Sequence, residues 1–167
     1  RELSNQLIDE IQAKGRIDFV EDFAIHVPLI VICELMGLDP ETRMKMYRWS
    51  DDMMAGDGHT EADDPVLFAA ADAFAEYTTM CAQLIAERRA DPRDDLISVL
   101  TQKFDEGELG KDEFLSLSGE PLGEPMGDDE LNLFLTVLLI AGNETTRNAI
   151  THGMLALGMF PEEKQRL

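Results

Sequence analysis

Apolar residues recur at helical spacing along nearly the whole chain. Leu3, Leu7, Ile8 and Ile11 fall on one face, with Gly15 placed to cap the end, and predict a helix over 3 to 14. Residues 17 to 23 alternate poorly (Ile17, Phe19 and Phe23 among Asp18, Glu21 and Asp22) and allow at most one short strand. A solid apolar run from 27 to 36 stops at Gly37 and carries Pro28 in its first turn, which predicts a well-buried helix. Asp39-Pro40 and Asp64-Pro65 are the same punctuation, a capping carboxylate followed by proline at the first helical position. The first opens a Met-rich helix from 40 to 55. The second opens a long helix ending near Asp91-Pro92, in which Leu67, Phe74, Cys81 and Arg88 share a heptad line beside Ala70, Ala71, Tyr77, Leu84 and Ile85. Residues 56 to 60, with two glycines and no periodicity, predict a mobile connection between them.

Leu96, Val99, Leu100 and Phe104 mark a short amphipathic helix begun by Asp94 or Asp95. Residues 105 to 127 hold five glycines and two prolines, and there packing could order only 114 to 117. From 128 to 159 the pattern is helical again, an element roughly 48 Å long. Pro161 starts a further helix over 162 to 167. The fold class read from these patterns is mainly α, in one segment over 1 to 167.

Composition narrows the function classes. Hydrophobic residues at 44% allow a real core, while 34 acidic against 14 basic residues give a net charge of -20, a field that opposes nucleic acid and anionic lipid as partners. The run from 131 to 142 is broken by Asn132 and Thr136 and is shorter than the roughly 20 residues that span a bilayer, so no transmembrane anchor is expected. Cys33 and Cys81 sit in apolar helical stretches with no ligand-spaced partner and read as small core residues, which favours a reducing cytoplasm. The opening Arg-Glu-Leu-Ser carries no leader pattern, so no signal peptide is expected. His26, His59 and His152 are scattered and receive no metal or acid–base role.

Candidate chemistry concentrates where the most hydrophobic helix breaks several local rules at once. Leu138-Leu139-Ile140-Ala141-Gly142-Asn143-Glu144-Thr145-Thr146-Arg147-Asn148 places a glycine, a carboxylate and two threonines in a helix interior. Glycine there costs about 1 kcal/mol against alanine, and a carboxylate beside an apolar run needs a partner, water or a proton. Val137, Ala141 and Thr145 share one face at i, i+4 and i+8. A threonine hydroxyl can bond the carbonyl one turn earlier, so with Gly142 permitting close approach the helix could open to hold water or a small ligand, with Glu144 supplying an exchangeable proton beside it. The plainer alternative has Glu144 paired with Arg147 or Asn148 and Gly142 merely admitting another helix.

Ala141-Gly142-Asn143-Glu144-Thr145-Thr146 resembles, position by position, the oxygen-activation signature of cytochromes P-450, which lies in that family's long I helix. Asp94 through Leu100 resembles its H helix, and Pro161-Glu162-Glu163 the start of its J helix. The resemblance implies a partial P-450 fold, from the D helix to the early J helix, including the F/G lid and the I helix. It implies heme b and dioxygen as cofactor and co-substrate, with Ala141, Gly142 and Thr145 against the haem. Thr145 would hydrogen-bond the bound oxygen and Glu144 would relay protons through water. No metal ligand is assigned within this segment. The cysteine thiolate that binds iron in this family, and the K helix, are expected beyond Leu167, so the segment alone is expected to be inactive.

The wording around Thr145 is most similar to members hydroxylating steroids, sterol side chains and branched lipids. The resemblance makes 40 to 90 the roof of a pocket for a hydrophobic small molecule, lined by Val137, Ala141, Trp49 and Met53. Met46, Trp49, Met53 and Met54 share a helical face whose soft thioethers suit such a ligand, although the same stripe would serve as ordinary core. Electrons would come from a ferredoxin and ferredoxin reductase pair. The competing class is a non-catalytic α-helical ligand-binding or regulatory module.

Overall fold

In a computed structural model, which describes residues 2–108 and 127–166, the elements follow the hydrophobic pattern closely. They are α1 (Glu2–Gln12), a π-helical turn (Val20–Ala24), α2 (His26–Leu35), a 3-10 turn (Pro40–Thr42), α3 (Arg43–Ala55), α4 (Pro65–Ala90), α5 (Leu96–Asp105), α6 (Asp128–Met159) and α7 (Pro161–Lys164). The packing expected over 114 to 117 lies outside the described residues.

The capping signals act as their chemistry dictates. The Asp39 carboxylate accepts from the Thr42 amide, Asp64 from Val66 and Asp95 from Ser98, each at 2.7–2.9 Å, satisfying donors that a helix start leaves open. Asp18 does the same unannounced: its carboxylate accepts from Val20 and Glu21. Residues 17 to 23 therefore enter a helical turn, and the short strand allowed by the sequence does not form. Phe19 and Phe23, four apart, stack with ring centroids at 5.2 Å, a helical spacing that the intervening acids obscured.

The core lies where α2, α3 and α4 pack on α6. Leu29, Met36, Met46, Tyr77, Cys81, Leu135 and Leu139 are fully enclosed there. Each such side chain contributes about 1.5–3 kcal/mol of apolar burial. The Tyr77 hydroxyl donates to the Leu135 carbonyl at 2.8 Å and the Asn132 amide donates to the Thr78 carbonyl at 2.8 Å, so α4 is fastened to α6 by polar bonds across an apolar seam. The buried line of α4 runs through Ala73, Tyr77, Cys81, Ile85 and Arg88. Phe74, on the expected heptad line, is turned out, because α4 packs along a four-residue ridge. In α5, likewise, Ile97, Ser98 and Thr101 face inward and Val99 outward.

Arg88 is buried and donates to Asp95 at 2.5 Å and to the Gly37 carbonyl at 3.2 Å, joining the ends of α2, α4 and α5. Gly37 has a φ of 65°, and a Cβ there would collide with the Asp95 carboxylate, so glycine both ends α2 and leaves room for the ion pair. Among the described residues no helix is long and apolar enough to cross a membrane.

Candidate functional site

The candidate site is built on α6, an unbroken α-helix of 32 residues. Asp128, Asp129 and Glu130 occupy its first turn, where their charge favours the helix N-terminus, and the Glu130 carboxylate accepts from the Gly127 amide. Leu131, Leu135, Leu139 and Asn143 form its buried line. Rotated away from that line, Leu133, Phe134, Val137, Ala141 and Thr145 form an exposed face.

The structure brings Val137, Ala141 and Thr145 together on this face. The Thr145 hydroxyl donates to the Ala141 carbonyl at 2.5 Å, the back-bond that the spacing predicts. The helix does not open: residues 141 to 146 remain regular α-helix, and the bond is made within the intact turn. Gly142 is turned a quarter turn aside. A Cβ on it would stand 3.2 Å from the Ile32 side chain, so its bareness lets α2 approach and does not shape the exposed face.

Glu144 sits apart from Thr145, on the side toward α3. One carboxylate oxygen accepts from Arg147 at 2.6 Å, and the other is buried without a hydrogen-bond partner among the described residues. Arg147 reaches Asp51 of α3 at 3.4 Å, and its guanidinium lies 5.9 Å from the centre of the Tyr47 ring. Burial pushes the Glu144 carboxyl above the usual carboxylate range, with Asp51 adding to the rise and Arg147 opposing it. A carboxyl so placed holds its proton nearer to neutral pH than a surface glutamate does, which suits proton exchange.

Asn143, Ser50, Arg147 and Asp51 were not singled out as site residues by the sequence. The Asn143 amide donates to the Ser50 hydroxyl at 2.6 Å inside the α3–α6 contact, with both side chains fully buried. Arg147 carried a signal, since it stands three residues after Glu144. Ser50 and Asp51 lie within a Met-rich helix and carried none.

Trp49 is seated in the core. Its ring meets Tyr77 edge-on at 5.8 Å and its Nε1 donates to Glu76 at 2.7 Å, a carboxylate that Arg48 also holds. This indole joins α3 to α4, whereas Met53 is half-buried against the same core and Met54 is exposed. Neither cysteine offers a thiolate: burial pushes Cys33 up to about 11 and Cys81 up to about 12.

No protein-family model matches the chain. It is 34% identical over 164 residues to a steroid C26-monooxygenase of Mycolicibacterium smegmatis, a match covering 98% of this chain and 34% of that protein. To a steroid C26-monooxygenase of Mycobacterium tuberculosis it is 38% identical over 152 residues, covering 90% of this chain and 36% of the relative. The chain thus spans about a third of the length of the curated relatives it matches. Among solved structures, CYP109E1 from Bacillus megaterium in complex with testosterone superposes with a TM-score of 0.79 at 30% identity, over 99% of this chain and 40% of that one. The cytochrome P450 PksS of the Bacillus subtilis bacillaene polyketide synthase gives 0.74 at 31% identity, over 99% and 37%.

Proposed function

This chain folds as the central segment of a cytochrome P450, and from that premise we propose that the whole protein is a haem-thiolate monooxygenase acting on a steroid, a sterol side chain or a branched lipid. The observation that carries the reading is the exposed α6 face, where Val137, Ala141 and Thr145 stand in a row about 12 Å long. The row is apolar or small except for one hydroxyl, so a flat apolar group can lie against it. The residues present therefore fit haem, with Ala141 and Thr145 facing it and Val137 beside the substrate. Its thiolate would come from outside the described residues.

Bound there, haem supplies the redox chemistry that activates dioxygen. The net reaction consumes one dioxygen, two electrons and two protons, places one oxygen atom in a substrate C–H bond and releases the other as water. A ferredoxin-type donor would supply the electrons. The chain's own part is to manage the two protons. Glu144, with its raised pKa and one oxygen without a hydrogen-bond partner among the described residues, takes up protons beside the Arg147–Asp51 pair that borders solvent. The Thr145 hydroxyl can donate and accept at once, so it can release Ala141, receive a hydrogen bond from water and direct a proton across the exposed face. Val137 and the half-buried Met53 would keep bulk water from the substrate.

The steroid part of the reading is supported by relatives named for steroid C26 oxidation and by the similarity to a protein crystallised with testosterone. The test is the reduced, CO-bound spectrum of the full-length protein, followed by titration with testosterone. A thiolate-haem Soret band and a ligand-induced spectral shift are expected. Absence of the band would leave a non-catalytic helical ligand-binding module as the better description.

A further inference from the structure

We propose that Asn143 and Ser50 are positioning residues that fix the rotational setting of α6 beneath α3, and through it the directions of Thr145 and Glu144; the inference rests on the monooxygenase reading above. Asn143 lies between Gly142 and Glu144 and is fully buried on the side of α6 opposite the exposed face. Its amide nitrogen donates to Ser50 Oγ at 2.6 Å, and the Ser50 hydroxyl in turn donates to the Tyr47 carbonyl at 3.3 Å. The Asn143 amide oxygen, equally buried, has no hydrogen-bond partner among the described residues.

For packing alone this is a poor arrangement. An amide taken from water with half its capacity unmet is penalised, and leucine would fill the same space without that penalty. What the polar pair provides is direction. Apolar contacts between helices tolerate sliding and turning, whereas a hydrogen bond between two enclosed groups holds only near one distance and angle. The bond sits where control is needed, because three successive residues of α6 are tied to neighbouring helices: Gly142 against Ile32, Asn143 to Ser50, and Glu144 through Arg147 to Asp51. Thr145 comes next, with its hydroxyl on the open face. A turn of α6 by about 15° would swing a group roughly 5 Å from its axis by about 1.3 Å. Misplacement of that size can change a rate about 100-fold.

The test uses the full-length holoenzyme and three variants: Asn143→Leu, Ser50→Ala, and the exchanged pair Ser50→Asn with Asn143→Ser. Four quantities are read: melting temperature, haem content, affinity for the titrated steroid, and the share of electrons recovered as hydrogen peroxide. Amide hydrogen exchange over 142–147 adds a readout independent of turnover. Asn143→Leu is expected to melt within a few degrees of the parent, load haem fully and bind ligand equally well. Its peroxide share should rise several-fold and its exchange over 142–147 about 10-fold. Ser50→Ala should reproduce the peroxide rise, and the exchanged pair should return it to within about 2-fold of the parent. A peroxide share that stays at the parent value in Asn143→Leu and Ser50→Ala, or that merely tracks melting temperature across all three variants, overturns the positioning role. A parent protein without a thiolate-haem band overturns both this inference and the function it rests on.

Discussion

Glu144 meets opposed demands in one side chain: a cation 2.6 Å away favours its charge, while enclosure disfavours it and prevails. Its folded pKa is thus raised above the unfolded value. A carboxyl shifted in that direction binds more protons folded than unfolded between the two pKa values, so it makes the protein lose stability as pH rises through that window. Glu144→Gln removes the titration. The variant should gain stability relative to the parent as pH climbs from the ordinary glutamate range through the raised pKa, measured by urea unfolding at successive pH values. Parallel pH profiles would show that Arg147 holds the charge throughout. Trp49, readable in the sequence as pocket lining or as core, packs edge-on against Tyr77 within the core of the described residues. Trp49→Ala should cost about 3–5 kcal/mol of stability, while Trp49→Phe, which keeps the packing, should leave steroid affinity unchanged; a 10-fold weaker affinity there would return the indole to the pocket. The Thr145 to Ala141 bond could be read in advance because it spans one helical turn. The Asn143 to Ser50 bond could not, because 93 residues separate its partners.

At the level of elements, capping chemistry and periodicity gave starts and ends to within a few residues, since both are local. They did not give the buried face of α4 or α5. A helix with apolar residues on several sides, such as Phe68, Phe74 and Tyr77 in α4, is rotated by whatever packs on it. The Arg88 to Asp95 pair is the clearest example of a tertiary device hidden in plain sequence, with Arg88 on an apolar line and Asp95 read as a mere cap. Burial raises the Asp95 pKa, but the Ser98 amide, the Arg88 guanidinium and the Ser98 hydroxyl outweigh it and hold the carboxyl below its ordinary range. Its contribution is therefore present above the unfolded pKa and is lost as pH falls through the folded one. Asp95→Ala removes the cap and strands the Arg88 charge. It should cost about 3–5 kcal/mol near neutral pH in urea unfolding, with the difference from the parent shrinking in acid. A cost below 1 kcal/mol would mean that Arg88 finds water or Glu87 instead.

Across the whole molecule, α6 is packed on one side and bare on the other. Leu133, Phe134 and Val137 are exposed before the motif, and Met154, Leu155 and Met159 after it. The helix is thus apolar on both sides, and the chain matches about a third of its relatives' length. The bare side is the proposed place of the chemistry, and Thr145 is the residue on which that proposal turns. Among the described residues the hydroxyl bonds only its own helix, and Thr145→Ala in the full-length protein should leave folding, haem content and ligand affinity close to the parent. The decisive measurement is the share of electrons from the reductant that appears as hydrogen peroxide, set against hydroxylated product. In Thr145→Ala most electrons are expected to go to peroxide. Parent-like coupling in Thr145→Ala together with its loss in Thr146→Ala would put the motif one residue out of register, and parent-like coupling in both would contradict the assignment of this face to oxygen activation.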